Sequence, residues 1–280
     1  MTCLIFSSVA FKTKAAEPKI SIYPDHANLV ERYHDTNQAP VVDALLTIGL
    51  YLENSDKFVS GNITDEDFLQ HLEVLSLWSA NNASKNLRYC AHVLTTAILH
   101  DHPVDSLRLE FISRTLKTPP KDTLFPEVLK ASAVNWLKEE IITAHQRQAQ
   151  DLFATETALL ATKKYIFPDM STLDEMSGED LIDEILEKYP FHMAALNLLF
   201  LLTGEHYAHV LPPDLMEDVA KDYLTPLRLA QERSSAILNP EDDSGDGAPS
   251  TEEGVIRHGP AVALEMLGQQ ITVCWVKLHE

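Results

Sequence analysis

Glycine is scarce in this chain, nine residues in 280. That shortage removes the raw material of tight β-hairpins and of phosphate-cradling loops. Cysteine is scarcer still. Cys3, Cys90 and Cys274 are widely spaced and odd in number, so they form neither a disulfide framework nor a CxxC metal knuckle. A reducing compartment is expected, the cytoplasm first and the nucleus second. Positive charge is short as well: 22 Lys and Arg against 42 Asp and Glu leave a formal net charge of -20. A nucleic-acid backbone or an anionic membrane would be repelled, so a basic partner, or one without charge, is the better expectation. Long apolar runs are missing. The longest, Met193 to Leu202, is far below the ~20 residues of a membrane span. The start, MTCLIFSSVAFKTKAAEP, has no basic residue ahead of its short apolar stretch and no good cleavage site, so no signal peptide is expected. The sequons at Asn62 and Asn82 then read as helix-start chemistry. Catalytic signatures are absent: the chain has no GxSxG, no Walker A and no GxGxxG.

What is present is helical rhythm cut by proline. The chain is 45% apolar and carries 15 prolines, among them Pro103, Pro119, Pro120, Pro168, Pro190, Pro212 and Pro213, which fall between apolar-periodic runs. Residues 1–24 read as irregular, and residues 25–280 as a single α-helical repeat domain. Helices are predicted from about Asn28 to Glu53, from Asp65 to about Ser79, and over 84–100, 105–117, 126–147, 149–165, 178–188, 191–203, 212–237 and 255–278. Thr64 and Asp67 make a capping-box signal for the second. Pro190 divides what would otherwise be one long helix. The stretch 239–255, NPEDDSGDGAPSTEEGV, is acidic and lacks large apolar residues, so a disordered loop is expected there. A solvated insertion explains it; a docking tail for a basic partner, or a phosphorylation site, is the functional reading.

Three stretches share one register. Leu87-Arg88 with Ala91 and Leu94, Leu107-Arg108 with Phe111, and Leu129-Lys130 with Ala133 and Trp136 each place a base after an apolar residue, with apolar positions three or four residues on. Their starts are 20 and then 22 residues apart, the length of one short helix plus a connection. No such helix can bury its stripe alone, and stacking of antiparallel helix pairs, as in a HEAT-like α-solenoid, solves the problem. In KASAVNWLKEEIITAHQ (130–146), Leu129, Ala133, Trp136, Leu137 and Ile141 fall on one face, while Lys138, Glu139 and Glu140 are expected to face water. The stretch is therefore expected to be a packing helix, in spite of the Glu and His145 that give it the look of a catalytic one. Asp105 and Arg108, an acid at a helix start and a base one turn on, fit a tie between a turn and the next helix.

LRYCAHVLTTAILHDHPVDSLRLEFISRTL (87–116), followed by LKASAVNWLKEEIITA (129–144), resembles the fungal YAP-binding proteins of the glomulin family, which also includes the plant aberrant lateral root formation protein. The likeness is densest over about 75–147, and family members are usually longer, so the chain looks like their C-terminal half. The resemblance implies a HEAT-like helical repeat and a non-enzymatic, protein-binding adaptor. For the fungal branch it implies association with an AP-1-like bZIP factor in the oxidative stress response. For glomulin it implies binding the RING subunit of a cullin–RING ubiquitin ligase. No contact residue for either partner carries over.

Few residues offer chemistry of their own. His92, His100 and His102 suggest a metal-dependent enzyme, the reading of another class, since imidazole and carboxylate suit zinc or iron. Against it, His92 and His100 stand about 80° apart round a helix, and Pro103 ends the element. Glu205-His206-x-x-His209 has the wrong order and spacing for HExxH. Cys90 is expected to be an inert core thiol; a redox role for Cys90 or Cys274 is the functional alternative. Arg88, Arg108, Lys130 and Trp136 are the candidate structural or interaction residues. Trp78 and Trp275 are expected in or near the core. No cofactor is expected.

Overall fold

A computed structural model of the chain describes residues 19–36, 38–58, 64–238 and 252–279. Helix makes up 79% of it, and no strand occurs among the described residues. The protein is all-α, built of helices packed on one another as a helical repeat. The chain falls into two compact units, Met1–Leu129 and Lys130–Glu280. Of the irregular start expected at 1–24, residues up to 18 lie outside the described ones.

The first unit holds α1 (Asp25–Arg32), α2 (Ala39–Glu53), α3 (Asp65–Asn81), α4 (Lys85–Asp101) and α5 (Asp105–Lys117). The single helix expected from 28 to 53 is two, because the chain turns after Arg32 and restarts with Pro40 in the first turn of α2. Caps set the next boundaries. Thr64 accepts from Asp67 N–H at 3.1 Å and the Asp67 carboxylate accepts from Thr64 N–H, the capping box read from the sequence. At the Asn82 sequon, the Asn82 side chain accepts from Ser84 N–H at 2.9 Å and Ser84 caps α4. Helix α3 packs along α4; α4 also meets α2, and α5 meets α3. Contacts to the next helix and to the next but one bury stripes that no single helix could cover. Where α2 crosses α1 and α4 the helices nearly touch. A β-carbon on Gly49 would stand 2.5 Å from Leu94 Cδ2 and 2.8 Å from His26 Cε1.

The division between the units falls within α6 (Pro126–Arg147). The second unit continues through a 3₁₀ turn (Leu152–Ala154), α7 (Thr157–Ile166), a second 3₁₀ turn (Ser171–Glu175), α8 (Gly178–Glu187), α9 (Tyr189–Leu202) and a third (Glu205–Val210). Then α10 (Leu215–Asp218) runs through a π-helical turn (Val219–Leu224) into α11 (Thr225–Leu238), and α12 (Glu252–His279) ends the chain. The helix expected over 149–165 begins only at Thr157, because Asp151 caps a 3₁₀ turn first. Pro190 sits in the first turn of α9, as its missing N–H allows. Helix α12 lies against α9 and α11, and α11 against α8. Gly268 lets α11 come close: a β-carbon there would be 2.8 Å from Gln231 Nε2, which donates to Leu264 O at 3.0 Å. Of the loop expected at 239–255, residues 239–251 lie outside the described ones, while the backbone from Glu252 already belongs to α12.

Two buried imidazole–phenol pairs mark the cores. In the first unit, His71 Nδ1 is 2.9 Å from Tyr23 Oη; in the second, His192 Nδ1 is 2.9 Å from Tyr223 Oη. Each pair satisfies polar atoms that would otherwise cost roughly 1–3 kcal/mol to bury. Burial pushes both phenols up and both imidazoles down, His192 to about 3, so the pairs are neutral.

Candidate protein-binding surfaces

Arg88 and Arg108 do the same work one helix apart. Arg88, on the first turn of α4, donates through Nη1 to Asn82 O at 2.6 Å and to Ala83 O at 3.3 Å. Arg108, on the first turn of α5 and 8% exposed, donates through Nη1 to His102 O at 2.5 Å. In both cases a guanidinium reaches back six residues to the carbonyl that ends the preceding helix. The sequence leads to the expectation of a tie only at Asp105 and Arg108; the bonds of Arg88 and Arg108 to helix-end carbonyls are what the fold shows. Lys130 is half-buried.

Trp136 is fully buried, together with Leu129, Ala133, Leu137 and Ile141, so the helix of the shared register is a packing helix. One expectation on it fails. Glu139 is exposed, but Glu140 is only 4% exposed and Lys138 is half-buried, beside Asn135 Oδ1 at 3.2 Å. Glu140 stands four residues after Trp136, one turn on, and so shares its buried face.

The histidines expected for a metal enzyme do not form a site. His102 is buried as the C-cap of α4, its ring 4.1 Å from that of Phe68, and its Nδ1 accepts from Val104 N–H at 3.2 Å. His92 and His100 are half-buried on the helix before it. The sequence treats His145 and the Glu205 turn separately, yet the fold brings them together. The His145 ring lies 5.8 Å from that of His206, 6.1 Å from His209 and 5.1 Å from Tyr207. A cleft of about 350 Å³ adjoins them, walled also by Gln148 and Thr155. Among the described residues no group of three or more His, Cys, Asp or Glu is placed to hold a metal ion, this cluster included. The metal-enzyme alternative is not supported.

Neither described thiol has the electropositive, accessible setting of a reactive one. Cys90 is half-buried, which corrects the core assignment; Tyr89 beside it is 68% exposed, so this flank of α4 faces outward. Burial and then Asp43 push its thiol up. Cys274 is buried, donates to Leu196 O at 3.3 Å, and is pushed up to about 12, chiefly by burial. Trp78 is buried. Trp275 is half-buried, with the Arg228 guanidinium 4.6 Å above its ring and His279 stacked on it.

Exposed apolar side chains among the described residues include two local groups. In the first unit, Leu124 and Phe125 are 69% and 56% exposed, next to exposed Val128. Asn81 pins this loop from α3: its Nδ2 donates to Asp122 O at 2.7 Å and its Oδ1 accepts from Leu124 N–H at 2.8 Å. In the second unit, α12 is apolar on two sides. Leu264, Leu267, Ile271 and Cys274 are fully buried, whereas Val262, Met266, Val273 and Val276 are all exposed. At 100° per residue these four fall within an arc of about 80°, along about 21 Å of helix. The residue between them on that arc, Gln269, is uncharged and exposed. Ordinary surface helices turn a polar face outward. Sequence periodicity finds both stripes of α12 but cannot say which one is covered. Among the described residues no helix is long and apolar enough to cross a membrane.

A family model described as "uncharacterised protein family, YAP/Alf4/glomulin" matches residues 2–270. No curated protein and no solved structure matches the chain.

Proposed function

We propose, because the chain belongs to the YAP/Alf4/glomulin family, that it is a non-enzymatic adaptor that holds a protein partner on the outward stripe of α12. The observation that carries the reading is this line of four exposed apolar residues on a well-packed helix. Exposed apolar surface of this kind marks an interaction site, and its helical spacing suits an amphipathic helix laid alongside. The net charge of -20 opposes a second copy of the same chain and favours a partner with basic flanks. By the likeness to fungal YAP-binding proteins, that partner is an AP-1-like bZIP factor acting in the oxidative stress response, met in the cytoplasm or nucleus.

The test is affinity capture from the native cell with the intact chain and with Met266→Glu/Val273→Glu. Both positions are exposed, so melting should hold within about 0.5 kcal/mol for each change. Loss of the captured bZIP factor from the variant supports the reading. Capture of a cullin–RING ligase's RING subunit instead would assign the chain the glomulin role. An identical set of partners from both proteins would refute α12 as the binding face.

A further inference from the structure

The outward stripe of α12 does not stand alone, because α9 runs beside it. Three contacts fix how the two helices sit. Tyr189 Oη donates to Met266 Sδ at 3.8 Å, Gln270 Nε2 donates to Asn197 Oδ1 at 3.1 Å, and Cys274 Sγ donates to Leu196 O at 3.3 Å. The Phe200 backbone also lies within hydrogen-bonding reach of the Cys274 thiol. The contacts advance along both chains together, so the helices run in the same direction. At 100° per residue, Tyr189, Met193, Asn197 and Phe200 fall within an arc of about 80° on α9. That arc borders the outer side of α12, because Tyr189 and Asn197 touch Met266 and Gln270. Phe200 is exposed there, and Tyr189 and Met193 are half-buried. The apolar face is therefore two helices wide. One polar contact interrupts it. The bond between Asn197 and Gln270 uses one donor and one acceptor, which leaves Gln270 Oε1 to accept and Asn197 Nδ2 to donate. Exposed Glu187 and Glu265 adjoin Tyr189 and Met266 in the chain, and Lys277 follows Val276 at the other end.

Resting on the reading of α12 as a binding face, we propose that its occupant is a partner helix laid along α9 and α12 together, basic at one end and with a single asparagine or glutamine in its apolar stripe. About 14 residues of helix cover the ~21 Å of the α12 stripe. A carboxamide carries a donor and an acceptor side by side, so it matches Gln270 Oε1 and Asn197 Nδ2 at once. An apolar residue at that point would bury both atoms without partners, and a charged one would give up its hydration for neutral groups. Glu187 and Glu265 attract the basic end to Tyr189 and Met266, and Lys277 repels it from the far end. The single polar contact sets the register of the partner helix, as one buried asparagine does in a coiled coil.

The experiment uses the full chain and a fluorescein-labelled helical peptide of about three heptads, followed by anisotropy. The peptide has leucine along one stripe, asparagine at the centre of that stripe, alanine and glutamine elsewhere, and lysines at one end. A companion has leucine in place of the asparagine. Phe200→Glu and Met266→Glu/Val273→Glu should each weaken the asparagine peptide about tenfold, and Leu160→Glu, the same change at an exposed position of α7, under about twofold. Each change adds a negative charge that general attraction to lysine would favour, so a loss reports apolar contact. The intact chain should hold the asparagine peptide about fivefold more tightly than its companion, the scale of one hydrogen bond, and Asn197→Leu/Gln270→Leu should reverse that order. Loss from the α12 variant with none from Phe200→Glu would overturn the second helix of the face and leave the α12 reading standing. A companion that binds the intact chain as tightly, or an order that survives Asn197→Leu/Gln270→Leu, would overturn the carboxamide. If neither peptide binds, a helix is not the occupant, and capture from the native cell still judges α12 by itself.

Discussion

Replacing Gly49 by alanine tests the packing logic of the first unit, because two effects of opposite sign meet there. In the interior of α2, alanine should gain roughly 1 kcal/mol over glycine from backbone entropy. Space opposes it. The new methyl would stand 2.5 Å from Leu94 Cδ2, and 2.8 and 2.9 Å from His26 Cε1 and Nε2. Leu94 is fully buried, so its methyl has nowhere free to go. The imidazole is fully buried as well and is tied by Nε2 to Leu45 O at 2.9 Å, so moving it stretches or breaks that bond. Overpacking costs about 1–3 kcal/mol and a weakened buried hydrogen bond about 1 more. The clash wins, and Gly49→Ala should destabilise by about 1–3 kcal/mol. At about 2–4 °C per kcal/mol, the melt followed by circular dichroism should fall by about 4–8 °C for a cost near ~2 kcal/mol. Leu94→Ala is costly in itself, about 2–5 kcal/mol, but in its background the Gly49→Ala penalty should shrink, because one of the two obstacles is gone. A variant that melts at or above the wild-type temperature would show that α1, α2 and α4 are less tightly packed than the distances require.

Trp136→Ala should cost about 3–5 kcal/mol by truncation in a packed core, whereas Glu139→Ala and His145→Ala, at exposed positions, should each stay within about 0.5 kcal/mol in the same melt. Arg108→Met should cost about 1.5–3 kcal/mol, the scale of a buried charge-assisted bond to a carbonyl, and Arg88→Met less, since that side chain is less buried; urea midpoints that rank them the other way would refute the repeated helix-end tie. Stability should fall as pH drops below about 6.5, because unfolded imidazoles then take up protons that buried His26 and His192 refuse until about pH 4 and about pH 3. His192→Gln should therefore move the acid-unfolding midpoint to lower pH relative to its own stability at pH 7, and an unmoved midpoint would exclude that imidazole from the acid transition.

Local chemistry made much of this molecule legible in one dimension. The bounds of α5 and α6 follow from an acid or proline at the start and a spent apolar stripe at the end. Thr64 with Asp67, Asn82 with Ser84, and Pro190 act within one or two turns of themselves, so no distant residue is needed to read them. The face of Trp136 follows from helical spacing alone. Residues brought close by the fold were not legible in that way. His145 and the Glu205 turn are sixty residues apart in the chain and meet only because α6 and the third 3₁₀ turn pack side by side. Nothing near Gly49 announces His26 and Leu94, which arrive from two other helices. Glu140 and α12 make the point from opposite directions, one a charge inside and the other a row of apolar side chains outside. Spacing places a residue on a face of its helix, but whether that face is dry or wet depends on which helix comes to lie against it, and that is decided by tertiary packing.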